Sequence, residues 1–366
     1  GGYGKPLRLW AAQWHTVQMV DFGDLPVFEE ATTYPSIWLM QHTKAIQTGF
    51  TAAIADTLDY PDGMESYLQS RWLQVGADSL TADSWNLIDS RKQRLLEKIN
   101  GAGQPLGEYV RGKIYYGIKT GFNEAFVIDT PTKQRLVAED PRSAEVLKPF
   151  LAGRDIKRYQ QPVSDKWLIL FPNGFTRERF GKLSETEAYA TMQEAYPAVM
   201  AFMEPFEEKA KARYDQGQFW WEQRPCEYLN EFGRNKIIIP AIVQGASYAL
   251  DTFGNFSNDK TSIIPGTDLY LLGLLNSRVV DYYLMAIAST KQNGYYEYKP
   301  VYVSQLPIAS AEGDVKFEIE RLVSQILEIK SNDKSADTSG LEQQIDALVY
   351  EAYGLEEEEV RMMEGR

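Results

Sequence analysis

The sequence is poor in the residues that build metal and nucleophile sites, with one cysteine, Cys226, and two histidines, His15 and His42. A lone cysteine forms no internal disulfide and suits a reducing, cytoplasmic compartment. A zinc site of the usual Cys/His kind cannot be assembled from this set. Neither histidine is accompanied by the strand–turn–helix elbow of a Ser–His–Asp hydrolase. No run of about 18 apolar residues occurs, so no transmembrane helix and no membrane partner are expected. No signal peptide opens the chain. No two prolines are adjacent, which excludes any Asn-Pro-Pro-aromatic string. Glu328-Ile329-Lys330 has the Glu-x-Lys spacing of a metal-dependent nuclease strand, but it lies in a stretch with helical apolar spacing and is read as chance. No metal site is expected.

What remains is ordinary globular material in quantity. The 366 residues suffice for two or three domains with real cores. The net charge of −13 argues against a polyanionic partner, but it is unevenly spread. Residues 310–366 hold 6 Lys and Arg against 15 Asp and Glu, a net −9, whereas residues 104–166 hold 11 against 8, a net +3. A mildly basic stretch therefore sits in mid-chain, where phosphates could be neutralised.

Periodicity and punctuation divide the chain into four segments and give an α+β class. Residues 1–44 read as helix–strand–loop–strand, with a helix over 5–14 and strands over Val17–Phe22 and Ser36–Gln41. That is too little to bury a core alone. Residues 45–104 form a connecting segment, with a strand over Thr51–Thr57 and a helix over Ser84–Asn100. Residues 105–310 mix short strands (Lys113–Gly117, Ala125–Ile128, Trp167–Leu170, Lys236–Ile239, Ser262–Ile264) with helices over Ser184–Ala212 and Leu269–Ala288. Residues 311–366 are helical and acidic. Val315, Ile319, Leu322, Val323, Ile326 and Ile329 form one apolar stripe there, and Ser339 with Glu342 can form a capping box for the next helix.

Several phrases resemble a known family. They are YYGIKTGFNEAFVID (115–129), LKPFLAGRDIKRY (147–159), GQFWWEQRPCEY (217–228), KIIIP (236–240), YLLGLLNSRVVDYYL (270–284), VYVSQLPI (301–308) and, at the C-terminus, LEQQIDALVYEAYGLEEEEV (341–360). In this order they resemble the TaqI-like C-terminal specificity domain of adenine-specific DNA methyltransferases in type IIG restriction–modification and phage-exclusion systems. YGKPLRLW (3–10) and VDFGDLPVFEEATTYPSIWLM (20–40) resemble the last helix and last two strands of the class I methyltransferase core. The resemblance implies a target-recognition module for double-stranded DNA. It also implies missing partners: an N-terminal S-adenosylmethionine-dependent catalytic domain, and possibly a nuclease. The glycine-rich cofactor loop and the Asn-Pro-Pro-Tyr motif of that catalytic half are absent here. The chain is therefore expected to bind no cofactor itself and to be inactive alone.

The resemblance also suggests roles. Methylating adenine in a duplex requires extruding the base, which then needs aromatic faces; the family's loop position for one such face falls on Phe28. In GIKTGFNEAF, Lys119, Thr120 and Asn123 stand on a glycine turn, either to meet phosphate and base edges or to close the turn. Arg154, Lys157 and Arg158 form a compact basic cluster suited to the DNA backbone. Lys291, Gln292 and Asn293, beside Tyr295 and Tyr296, either read base edges or border strand packing. Trp220 and Trp221, read as strand residues, face opposite ways, and one packs in the core. A second reading makes the acidic C-terminus a docking module for another subunit of a defence complex.

Overall fold

A computed structural model of the chain describes residues 5–23, 25–28, 34–44, 49–76, 87, 90–290, 294–311 and 313–365. The chain divides into two compact units, Gly1–Lys98 and Ile99–Arg366. Among the described residues, no helix is long and apolar enough to cross a membrane.

The first unit opens with the helix Lys5–Ala11 and is built on one sheet. Its strands are β1 (Trp14–Asp21), β2 (Ser36–Lys44), β3 (Phe50–Ile54) and β4 (Leu73–Val75), in the order β2-β1-β3-β4. β1 runs antiparallel to β2 and parallel to β3. The helix–strand–strand reading of residues 1–44 is thus met, with the helix cut short because Trp14 already pairs in β1. β3 and β4 extend the same sheet, so the segments split at residue 44 share it. Side chains alternate across a strand. Val20 accordingly packs with Phe22, Ala53, Ala55 and Leu68, while its neighbour Met19 packs with Phe50, Ala52 and Val75. The outer strand is poorly covered, with Ile37 and Leu39 about half exposed, as are Leu7, Leu9 and Trp10 on the helix.

The second unit carries thirteen short strands among the described residues. β5 (Gly103–Pro105), β6 (Tyr115–Tyr116), β7 (Val127–Asp129), β8 (Leu147–Leu151) and β9 (Lys166–Ile169) come first. β10 (Lys236–Pro240), β11 (Ile242–Val243), β12 (Ala249–Asp251), β13 (Phe256–Ser257) and β14 (Thr261–Pro265) follow a helical stretch, and β15 (Ser289–Thr290), β16 (Tyr296–Glu297) and β17 (Pro307–Ala309) follow another. Two four-stranded sheets dominate, β12-β10-β14-β6 and β13-β8-β9-β7. Every pairing in them is antiparallel except β13 with β8. The unbroken apolar run of β10 is explained by its place between β12 and β14, where all five residues are buried. One core joins the sheets, with Ile238, Ala249 and Ile263 from the first and Phe150, Leu151, Leu168 and Ile169 from the second.

Several sequence expectations need correction here. The helix read over 184–212 is Glu185–Ala195, Pro197–Met203, a 3-10 turn at Glu204–Phe206 and Glu207–Ala212. Pro197 and Pro205 restart the chain at each break, because proline fits only the first turn of a helix. The helix read over 269–288 breaks at Asn276, whose buried amide brackets both the N–H and the carbonyl of Tyr248 at 3.0 and 3.1 Å. Trp220 and Trp221 are both buried, at 2% and 0% exposure, since they lie in a turn rather than a strand and meet edge to face.

The C-terminal helices Asp314–Asn332, Ser339–Ala352 and Glu357–Met363 belong to this same unit. Ile319, Leu322, Val323 and Ile326 bury the expected stripe. Thr338, not Ser339, holds the N-cap position of the second helix, and its hydroxyl donates to Glu342 at 2.7 Å. Glu342 also forms an ion pair with Arg158 at 2.6 Å, and Asp346 one with Arg278 at 3.2 Å. Part of the C-terminal acid is therefore neutralised internally.

At the heart of the first large sheet lies a fully buried ion pair. Lys236 and Asp251 are both 0% exposed and 2.5 Å apart. The Lys236 ammonium also donates to the Phe232 carbonyl, and Asp251 accepts from Gln161 and from the backbone N–H groups of Phe253 and Asn255. Burial lowers the Lys236 pKa from its ordinary value. Removing one partner strands a buried charge, so Asp251→Ala should destabilise the protein by about 3–5 kcal/mol. The double change Lys236→Met with Asp251→Leu should recover most of that loss, as read from urea unfolding midpoints.

Candidate nucleic-acid interface

Two grooves of the second unit share one turn, Asn258–Lys260, which links β13 to β14. Asn258 folds the turn by accepting the Lys260 N–H on its side chain at 3.1 Å. Two glycines, one from each of the first two family-like phrases, press against it. A Cβ at Gly117 would lie 1.8 Å from the Asn258 carbonyl oxygen, and one at Gly153 would lie 3.0 Å from the Lys260 carbonyl oxygen. The backbone bonds are Gly117 N–H to Thr261, Ile118 N–H to Ser257, Asn258 N–H to Leu151 and Ala241 N–H to Lys260. The glycines are thus demanded by backbone meeting backbone.

On one side of the turn is a groove of about 490 Å3. Its cations are Arg154, Lys157 and Lys260, and among the described residues no Asp or Glu lines it. Gln244, Ser247 and Tyr295 supply amide, hydroxyl and ring. Arg154 is 78% exposed on its side chain, with Asp155 4.0 Å away, and Lys260 has Asp259 at 3.9 Å. The basic segment ends at Tyr159, a non-glycine residue at φ 57° that is 1% exposed. Such a conformation costs about 1–2 kcal/mol and persists here because the buried ring and the 3.1 Å bond to the Tyr248 carbonyl hold it.

On the other side is a groove of about 850 Å3, walled by Tyr116, Tyr228, Gln223 and Arg224, with Lys119 and Asp259 at its rim. Tyr115 stacks on Tyr228 at 4.5 Å and 7°, while Tyr116 is 51% exposed. Lys119 and Arg224 share the buried Asp215 at 2.8 and 3.0 Å, and the Lys119 ammonium in particular holds that carboxyl below its usual range. Beneath this rim, Arg213 is 7% exposed. It donates to the carbonyls of Thr120, Trp220 and Glu222 and lies 4.0 Å over the Phe126 ring. Burial pushes its pKa down to about 10. Glu222, 0% exposed, accepts the N–H groups of Gly174, Thr176 and Gln218 at 2.9, 2.9 and 3.0 Å.

The residues singled out by sequence divide accordingly. Arg154 and Lys157 share the cationic groove. Arg158 does not join them: its guanidinium turns to Glu342 on the C-terminal helices, so the compact cluster is split. Lys119 lines the other groove. Thr120 is corrected to a structural role, being 2% exposed, with its hydroxyl donating to Asn123 at 2.6 Å and accepting the Phe122 N–H at 3.2 Å. Asn123 is exposed, but its Oδ1 receives that hydroxyl. Phe28 stands 58% exposed in the connection from β1 to β2. Lys291, Gln292 and Asn293 lie outside the described residues; the strands on either side, β15 and β16, pair antiparallel.

Sequence reasoning missed Lys260, Gln244, Gln223 and Arg224. Asn258-Asp259-Lys260 carries the polar turn signature, which was available, but nothing local says that it meets residues 117 and 153. The crossing yields a stability test. Gly117→Ala should force the β13–β14 turn outward and destabilise the protein by about 1–3 kcal/mol, whereas Gly112→Ala, with open space around it at φ 73°, should cost about 1 kcal/mol or slightly more. Thermal melts of the two variants check this ranking.

The comparisons with known proteins bear on this face. No curated protein matches the sequence. The chain is similar in fold to the type IIL restriction–modification enzyme MmeI, solved in complex with DNA, at 14% identity and a TM-score of 0.53. That match covers 96% of this chain and 44% of the enzyme's, so the chain spans less than half of that protein. The type IIG restriction endonuclease BpuSI matches at 12% identity and a TM-score of 0.40, covering 97% and 46%. Residues 148–308, which hold the crossing turn and all of the described cationic groove, match the family model of the TaqI-like C-terminal specificity domain.

Proposed function

We propose that this chain is the DNA target-recognition part of a restriction–modification enzyme, and that duplex DNA lies along the groove of Arg154, Lys157 and Lys260. The observation that carries the reading is that groove, three cations with no acid among its described lining residues, inside a protein of net charge −13. Cations of this kind neutralise phosphates, while Gln244 and Ser247 between them have the donors and acceptors that read base edges.

The parent activity proposed is S-adenosylmethionine-dependent adenine-N6 methylation, in a phage-defence setting in the cytoplasm. Its catalytic half would pack on the uncovered apolar side chains of the first unit, Leu7, Leu9, Trp10, Ile37 and Leu39. Phe28, exposed in the β1–β2 connection, is placed by this reading as one stacking face for the extruded adenine. For the docking-module alternative, two of the fifteen acids of residues 310–366, Glu342 and Asp346, are already paired with Arg158 and Arg278.

Binding of the full chain to a mixed-sequence duplex, followed by fluorescence anisotropy, should weaken with salt. Three phosphate contacts give a log–log slope near −2.7 between ~50 and ~200 mM salt. Lys157→Ala and Lys260→Ala should each make the slope shallower by about 0.9, and Arg158→Ala should leave it unchanged. Equal slopes in all four proteins would overturn the assignment of the groove.

A further inference from the structure

We propose that Arg158 is a positioning residue for the cationic groove: its pairing with Glu342 fastens the segment that carries Arg154 and Lys157 to the C-terminal helices and so fixes where those two cations stand. The segment has little structure of its own, a 3-10 turn at Gly153–Asp155 followed by irregular chain to Gln160. Ile156 and Tyr159 are buried while Lys157 is exposed, so the cations ride on a short stretch anchored by apolar side chains. Arg158 adds an anchor of a different kind. Its guanidinium Nε lies 2.6 Å from the Glu342 carboxylate on the helix Ser339–Ala352, and the guanidinium carbon lies 5.4 Å over the Tyr159 ring. Glu342 is itself held by the Thr338 hydroxyl at 2.7 Å. Beyond Tyr159, the Gln160 side-chain amide donates to the Lys334 carbonyl at 3.1 Å, in the connection that leads into the same helix.

The opposite wall of the groove leans on the helices too. Ser247 donates its hydroxyl to the Ile156 carbonyl at 3.3 Å, and the Tyr159 N–H donates to the Tyr248 carbonyl at 3.1 Å, so the two walls are stitched together. Close to the second wall stands Asp281, on the helix Arg278–Ile287. It accepts the Tyr298 hydroxyl at 3.0 Å, and a Cβ at Gly245 would lie 3.3 Å from its Oδ2. Burial raises the pKa of Asp281 and of Asp346, and the charge of Arg158 opposes that rise in both. Arg158 thus acts on three acids, Glu342, Asp346 and Asp281, none of which lines the groove. Its charge is neutralised there and does not add to the groove's three cations.

An exposed ion pair contributes little to stability; this one is partly sheltered, with side-chain exposures of 31% and 22%. Its larger effect is on order. Without the pair, Arg154 and Lys157 would sample more arrangements in the free chain, and binding would carry the cost of ordering them. Such a loss lowers affinity at every salt concentration but leaves the number of neutralised phosphates, and hence the salt slope, as it was. That signature separates a positioning residue from a phosphate contact. The inference rests on the duplex reading of the groove.

The test is duplex binding by the full chain between ~50 and ~200 mM salt, with amide hydrogen exchange of residues 153–160 measured without DNA. Arg158→Ala and Glu342→Gln should each weaken binding about fivefold at every salt concentration, with parallel slopes, and should speed exchange in that segment. The double variant should bind no more weakly than Arg158→Ala alone, because both changes break one pair. Arg158→Lys, which keeps the charge, should recover most of the affinity and of the protection. Wild-type affinity in Arg158→Ala overturns the proposal, as does weakened binding with wild-type exchange. A slope made shallower by about 0.9 overturns it as well, since Arg158 would then be a phosphate contact itself. So does tighter binding by Glu342→Gln with a steeper slope, because Glu342 would then be masking a cation. If the wild-type chain binds no duplex, the duplex reading falls and exchange alone judges the fastening: faster exchange in both variants upholds it, and unchanged exchange overturns it.

Discussion

At the turn Asn258–Lys260, segments from three parts of the chain meet backbone to backbone. Gly117 and Gly153 lie so close to the turn's carbonyl oxygens that a methyl group at the first could not be placed and one at the second would be tight. The contact carries β13 from its parallel pairing with β8 into β14, which pairs antiparallel with β10. It also sets the two grooves on either side of three residues. Much of the second unit's grooved face follows from this crossing. The basic segment after Gly153 supplies the cations, the glycine turn after Gly117 supplies Lys119, and the turn itself contributes Lys260.

Around the crossing, buried charge is arranged as scaffolding. Lys236 and Asp251 tie β10 to β12 and to the loop that follows it. Arg213 gathers three carbonyls, that of Thr120 lying 93 positions away, and Glu222 gathers three N–H groups. Each satisfies backbone that short strands and turns leave unpaired. A fold with this much irregular chain needs such partners more than a regular sheet does. Their cost is desolvation, seen in the lowered pKa values of Lys236 and Arg213.

The sequence made the outlines legible where signals are local. The C-terminal apolar stripe, the β1–β2 pair and the buried KIIIP strand were readable from period and punctuation. Helix interruptions at Pro197 and Pro205 were also written locally but were overridden by a continuous apolar pattern. The site was half legible. Arg154 and Lys157 stood out as charge, but their neighbour Arg158 is claimed by Glu342, 184 positions along the chain, and no local rule reveals such a claim. Thr120 looked presented because it lies between glycines, yet a threonine hydroxyl readily bonds its own turn. Lys260 and Gln223 become visible only when strands distant in sequence are brought side by side.

The separation of charge in this molecule bears on how it meets a polyanion. With a net charge of −13, this chain's far field repels a polyanion, whereas the cationic groove of the proposed DNA site would attract a backbone at close range. At 0.1 M salt the screening length is about 10 Å, so the repulsion is damped before contact and the groove's attraction is felt mainly on arrival. Diluting the salt extends both fields together. Long-range steering, which speeds many basic proteins onto DNA, is therefore weak or reversed here. On the proposed reading, encounter with DNA would be slow and selective, favouring collisions that present a backbone to the groove.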